Sequence, residues 1–212
     1  MIKIKTQKGQ DIHFFSDPHF NHTNIVRGVT NWRDTEGNIP MQQVRDFDTL
    51  EEMNTTLVNN INNNVKENDI LFCLGDWSFG GEQSIPEFRS KINCKNIYLI
   101  LGNHDHHIEK KLELKKLFTG VYDKLHLEID KQNFILNHDP IASWIGVRKG
   151  YIHLSGHVHL APEHKILIGK SMDVGVDGHP EFRPYKLSEI MEIMNKQPID
   201  SWMKFKFTNR ID

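Results

Sequence analysis

Ile70-Leu71-Phe72-Cys73-Leu74-Gly75-Asp76, then Ser84-Ile85-Pro86-Glu87-Phe88, then Ile97-Tyr98-Leu99-Ile100-Leu101-Gly102-Asn103-His104-Asp105: two short apolar runs bracket one helix start. Ser84 suits a cap, Pro86 the first turn and Glu87 the third helical position. Strand, helix and strand in that order predict a parallel crossover. In an open parallel sheet, ligands gather at the carboxyl ends of the strands. Both runs end there in Asp, Asn and His.

The same ending recurs along the chain. Asp11-Ile12-His13-Phe14-Phe15 runs into Ser16-Asp17-Pro18-His19, where Pro18 stops the ladder. Leu125 to Ile129 and Asn133 to Asn137, joined by Asp130-Lys131-Gln132, read as a hairpin that delivers His138-Asp139. Ile152-His153-Leu154 delivers Gly156-His157-Val158-His159. Leu50, Met53, Leu57, Ile61 and Val65 recur at helical spacing from Phe47, with Asp46 or Asp48 as N-cap. Asn59, Asn60, Asn62, Asn63 and Asn64 read as a fraying, solvated end of that helix. A helix is expected over Ile108 to Phe118, with Ile108, Leu112 and Leu117 inward and its lysines in solvent. Further expectations are a strand at Met1 to Thr6, an edge strand at Ile166 to Ile168 and a capped terminal helix over Ser188 to Met194. These elements predict an α/β fold in one domain over residues 1–212. Its form is a layered α/β sandwich, two mixed β-sheets flanked by helices, with the site on the strand C-terminal edge.

The five polar clusters hold seven oxygen and imidazole ligands and no thiolate, a hard to borderline set suited to Mn, Fe, Co, Ni or Zn. Seven donors suffice for two divalent metal ions, provided that one carboxylate spans both. Asp76 is the candidate. Water shared by two such cations ionises near neutral pH, so a metal-bridging hydroxide is the expected nucleophile and no Ser or Cys is required.

In their order, Asp-x-His, Gly-Asp, Gly-Asn-His-Asp, a lone His and Gly-His-x-His resemble the calcineurin-like metallophosphoesterases, over Ser16 to His159. The longer first motif, Asp17-Pro18-His19-Phe20-Asn21-His22-Thr23-Asn24-Ile25, is similar to that of the small bacterial and phage phosphoesterases of this superfamily. Arg45-Asp46-Phe47, Glu52-Met53-Asn54 and Val174-Gly175-Val176-Asp177 extend the likeness, while Asp173 stands where Asn is expected. The resemblance implies that Asp17, His19 and His159 hold one metal, that Asn103, His138 and His157 hold the other, and that Asp76 joins them. Of the ions that suit the donor set, manganese is the one expected first. His104 would then touch the phosphate and protonate or stabilise the leaving oxygen, with Asp105 orienting its ring.

Beyond these residues, His22 and Arg45 are candidate substrate contacts, a surface ion pair being the other reading for Arg45. His13, His126 and His153 read as packed or surface residues, and His106, His107, His164 and His179 as solvent-facing. Trp77 reads as a wall of the site and Lys204-Phe205-Lys206-Phe207 as a charged edge strand. Loops Gly28 to Pro40, Gly80 to Ser84 and Ala142 to Gly150 are expected to set substrate choice. A net charge of −2 with no basic stripe disfavours nucleic acid as partner. Cys73 and Cys94 read as free thiols, and no signal or membrane segment is seen, so a cytoplasmic protein is expected. The expected function is metal-dependent cleavage of a phosphomonoester or phosphodiester in a small or nucleotide-like substrate. A single-strand nuclease and a non-catalytic interaction module are the alternatives.

Overall fold

The computed structural model describes residues 1–27 and 45–199. In chain order the elements are β1 (Ile2–Ile4), β2 (Ile12–Phe15), α1 (Leu50–Asn64), β3 (Ile70–Cys73), α2 (Ser84–Lys91), β4 (Asn96–Ile100), α3 (His106–Lys110), α4 (Leu112–Lys115), β5 (Gly120–Tyr122), β6 (Lys124–Ile129), β7 (Gln132–Asn137), β8 (Ile152–Ser155), β9 (Ser171–Asp173), β10 (Tyr185–Lys186) and α5 (Leu187–Asn195). Two five-stranded sheets form, in the orders β10-β2-β3-β4-β5 and β1-β6-β7-β8-β9. In the first, β2 to β5 run parallel and β10 antiparallel. The second mixes one antiparallel pair, β6 with β7, with parallel neighbours. This is the layered, mixed-sheet α/β sandwich that the strand pattern predicts.

Side-chain alternation in β2 and β3 divides the core. Ile12, Phe14, Ile70 and Phe72 face the second sheet, where Leu127, Phe134, Leu136 and Leu154 meet them. Phe14 stacks on Phe72 at 5.1 Å and on Phe134 at 5.9 Å, so one ring ties the sheets together. Phe15, Leu71 and Cys73 point the other way, under Met53, Leu57 and Ile61 of α1 and Ile85 and Phe88 of α2. Both cysteines are buried and free.

Several local expectations are corrected. The cap of α1 is Thr49, whose side chain accepts from Glu52 N, because Asp46 and Asp48 are drawn to Arg27 instead. Ser84 is already helical and gives no capping bond. The helix expected from Ile108 breaks at Lys111, whose backbone is extended; this rotates the following turn, so Leu112 is exposed while Leu114 and Phe118 are buried. The asparagines at the end of α1 do not fray. Asn62 bonds Lys91 O and Asn93 N, and Asn60 bonds Glu181 O, fastening the helix to neighbouring loops. Ile166 makes only an isolated bridge to Met172, and the edge strand is β9. His179 is buried against Tyr185, not solvent-facing. The Gly28 to Pro40 loop and the Lys204 to Phe207 tail lie outside the described residues.

Truncating the ring between the sheets tests this packing. Phe14→Ala should lose about 3–5 kcal/mol of stability in urea denaturation; a loss under about 1 kcal/mol would show that the sheets close without it.

Candidate metal centre

All five polar clusters arrive at one edge because β2, β3, β4, β7 and β8 end there. Asp17 and His19 follow β2, Asp76 follows β3, Asn103 follows β4, His138 follows β7, and His157 and His159 follow β8. Five of these seven residues turn through positive φ: Asp17 at 56°, His19 at 47°, Asp76 at 57°, His157 at 73° and His159 at 51°. Left-handed backbone costs a side-chain-bearing residue about 1–2 kcal/mol. The loops are held there by backbone bonds from Asp17 N to Gly75 O, His19 N to Asp76 O and Gly156 N to His138 O. Gly102 is needed for close approach: a Cβ would come within 2.6 Å of Asp76 N.

The side chains form two donor sets that share one oxygen. His19 Nε2 lies 3.0 Å from His159 Nε2, 3.8 Å from Asp17 Oδ1 and 3.4 Å from Asp76 Oδ2. On the other side, Asn103 Oδ1 lies 2.9 Å from His138 Nε2 and 3.0 Å from His157 Nδ1, and His138 Nε2 lies 3.5 Å from the same Asp76 Oδ2. Asp76 Oδ1 is taken by His104 N at 3.0 Å, which leaves Oδ2 to face both sets.

Acceptors outnumber donors here. His138 Nδ1 must donate to Leu74 O at 2.7 Å, and His159 Nδ1 to Asp177 Oδ2 at 2.8 Å, so each neutral ring turns an Nε2 lone pair inward. Asp17 Oδ1 and His19 Nδ1 are buried with no partner. Burial, followed by the neighbouring charges of His159 and Arg45, holds the His19 imidazole well below its ordinary pKa. Burial alone would also lower His138 and His159, but Asp17 and Asp76 outweigh it at His138, and Asp17 and Asp177 at His159, so both are raised. Such a convergence of lone pairs and carboxylates repels itself unless cations or protons enter. The donor set therefore fits divalent cations, whose binding must displace those protons.

The surroundings correct three readings. Arg45 is neither a phosphate contact nor a surface pair: it is buried, forks onto both oxygens of Asp177 at 2.8 and 3.0 Å and donates to Asp17 O and Pro18 O. Burial would raise the Asp177 carboxyl, but Arg45 and His159 prevail and hold it far below the carboxylate range. Asp177, unassigned by sequence reasoning, thus fixes the His159 ring as carboxylate partners of metal-binding imidazoles do. Asp105 does not turn to the His104 ring. Its oxygens accept from Asp76 N, Trp77 N and Gly102 N at 2.8–3.0 Å, splicing the second and third motifs, while burial pushes it up to about 6. Trp77 is no wall of the site: it is buried among Phe15, Phe20 and Phe118.

His104 is half exposed, with Nε2 4.0 Å from Asp76 Oδ2. It lines a cavity of about 400 Å³ over the donors, together with His22, Asn24, Ile25 and Phe79. His22, expected near substrate, is in that lining. Among the described residues, Gly80 to Ser84 and Ala142 to Gly150 are not. Asp139 lies beside the second set, 3.7 Å from His157 Nε2. A further Asp11, His13 and Asp69 group sits at the start of β2, where Asp69 caps Lys66 N and Asp11 N.

The model of the calcineurin-like phosphoesterase family matches residues 11–204. The chain belongs to the calcineurin-like phosphoesterase family. Membership implies metal-dependent phosphoester hydrolysis with divalent ions. An uncharacterized protein of Methanocaldococcus jannaschii is 29% identical over 190 residues, covering 87% of this chain and 92% of its own length. A solved protein of unknown function from Aquifex aeolicus shares the fold with TM-score 0.61 at 20% identity, covering 87% of this chain and 100% of that chain. A novel archaeal phosphodiesterase overlaps with TM-score 0.46 at 16% identity, over 84% of this chain and 99% of its own. Among the described residues, no helix is long and apolar enough to cross a membrane.

Asp173, the departure from the expected Asn, is fully buried and accepts from Gly175 N at 2.6 Å. Burial and then the charge of Asp17 push it up to about 7. A folded value above the unfolded one of about 3.9 means that stability falls as pH rises from about 4 to 7, where only the unfolded chain readily ionises. In metal-free protein, Asp173→Asn should therefore stabilise by on the order of a few kcal/mol at pH 8 and far less at pH 5. Urea midpoints that shift equally at both pH values would contradict this.

Proposed function

We propose that this protein hydrolyses a small phosphodiester or phosphomonoester, at a centre where Asp17, His19 and His159 hold one cation, Asn103, His138 and His157 a second, and Asp76 joins them. The observation that carries the reading is the placement of Asp76 Oδ2 within 3.4–3.5 Å of an imidazole from each set. When bound, the cations supply charge neutralisation and an activated water. Manganese is the ion we favour; Fe, Zn, Ni and Co suit the same donors.

The chain's own residues do the rest. Asp177 and Arg45 lock the His159 ring, and Asp105 keeps the Asp76 and Asn103 loops in register. The floor of the cavity is thus set before substrate arrives, which is what stabilises charge that develops only in the transition state. His104 stands over the floor with its ring partly in solvent, in position to touch a phosphate oxygen and to give a proton to the departing one. The full donor set supports an enzyme over a non-catalytic module, and the absence of Lys and Arg among the described lining residues supports a small substrate over a nucleic-acid strand.

Hydrolysis of bis(4-nitrophenyl) phosphate should appear with manganese and vanish with chelator. His104→Ala should keep its metal content yet lose a factor of about 10²–10⁴ in kcat. Unchanged turnover would remove His104 from the reaction, and silence of the wild type with every ion and ester tried would favour the binding module.

A further inference from the structure

The cavity over the donor sets has two unlike halves. One half is carboxylate and imidazole. The other is Phe79 lying flat on His22, ring centroids 3.6 Å apart and planes within 9°, with Ile25 in the same lining and His19 joining the two halves at a tilt, 5.2 Å from Phe79. His104 touches this aromatic half: its ring centroid is 4.8 Å from that of Phe79. Thus the residue assigned to the departing oxygen also borders the aromatic wall, and whatever leaves with that oxygen lies against it.

From this we infer an aromatic subsite on the leaving-group side, built by Phe79 and His22, that takes the planar ring of an aryl or nucleoside phosphoester. The inference rests on the phosphoesterase reading and specifies its substrate class. Phe79 is only half-buried although its one parallel partner, His22, lies within the protein, a placement that suits a ring with a second flat group to cover. A cavity of about 400 Å³ is of the size that holds a drug-sized ligand, so a phosphate at the donors leaves room for such a ring. Its chemistry favours a ring over the obvious alternative. A second phosphate would need a cation, yet among the described residues no Lys or Arg lines the cavity, and the Arg45 guanidinium is committed to Asp177 beneath the floor. Exposed Asn24 adds a carboxamide in the same lining, able to bond the edge of a heteroaromatic ring.

The test is calorimetric binding of phenylphosphonate and of methylphosphonate, two esters' stable mimics, to manganese-loaded protein. Stacking a ring on an aromatic side chain is worth roughly 5- to 150-fold in affinity. We expect phenylphosphonate to bind at least fivefold more tightly. Phe79→Leu should bring the ratio below about twofold with metal content unchanged, and Phe79→Trp should preserve it. Equal affinities in the wild type, or a ratio that survives Phe79→Leu, would overturn the subsite. Bis(4-nitrophenyl) phosphate cleavage, read in parallel, separates the failures. Cleavage with equal phosphonate affinities overturns the subsite alone, and neither cleavage nor phosphonate binding overturns the subsite together with the phosphoesterase reading.

Discussion

Two groups of lone pairs pressed against one carboxylate oxygen are the constraint on which the rest of this structure depends. Asp76 Oδ2 has His19 on one side and His138 on the other, while the Nε2 atoms of His19 and His159 meet at 3.0 Å. In a low-dielectric interior such an arrangement is costly, since buried acceptors and charges without partners lose their hydration. Divalent cations relieve the repulsion, so the elements that force the groups together are best understood as a cation cage.

Those elements are distributed between backbone and buried polar side chains. Positive φ at five donor residues aims the strand ends inward, at a local cost that the inter-loop hydrogen bonds and the packed sheets offset. Arg45 and Asp177, 132 residues apart, form a buried pair that grips the first motif by its carbonyls and the last by His159. Removing one member of such a pair strands the other and typically costs about 3–5 kcal/mol. Asp105 does for the second and third motifs what Arg45 does for the first and last. The sandwich below is apolar and ordinary; the polar side chains above it decide where the ligands point.

The sequence shows the elements that follow short-range rules. Apolar runs of strand length, the helical spacing of Met53, Leu57 and Ile61, and polar clusters at strand ends led to a layered α/β sandwich and to a shared edge. What it hides is set by backbone hand and by distant partners. At Asp76 φ is positive, so strand alternation no longer applies past it: Trp77 enters the core, while Phe79 reaches the cavity. Asp105 sits next to His104 in sequence, which suggested a ring partner, yet its carboxylate turns to amides 28 and 29 residues upstream. Arg45 and Asp177 carry no local pattern that announces their pairing. The hairpin turn is one residue shorter than the sequence pattern predicts because Asp130 and Lys131 both adopt positive φ, the geometry of a two-residue turn usually filled by Asn and Gly.

The central claim is that these donors enclose two adjacent cations bridged by Asp76. Anomalous diffraction from manganese-loaded crystals, with metal content measured on the same protein, tests it most directly. The account predicts two manganese peaks per chain about 3.5–4 Å apart with Asp76 between them. One peak, none, or a pair that Asp76 does not touch would contradict it.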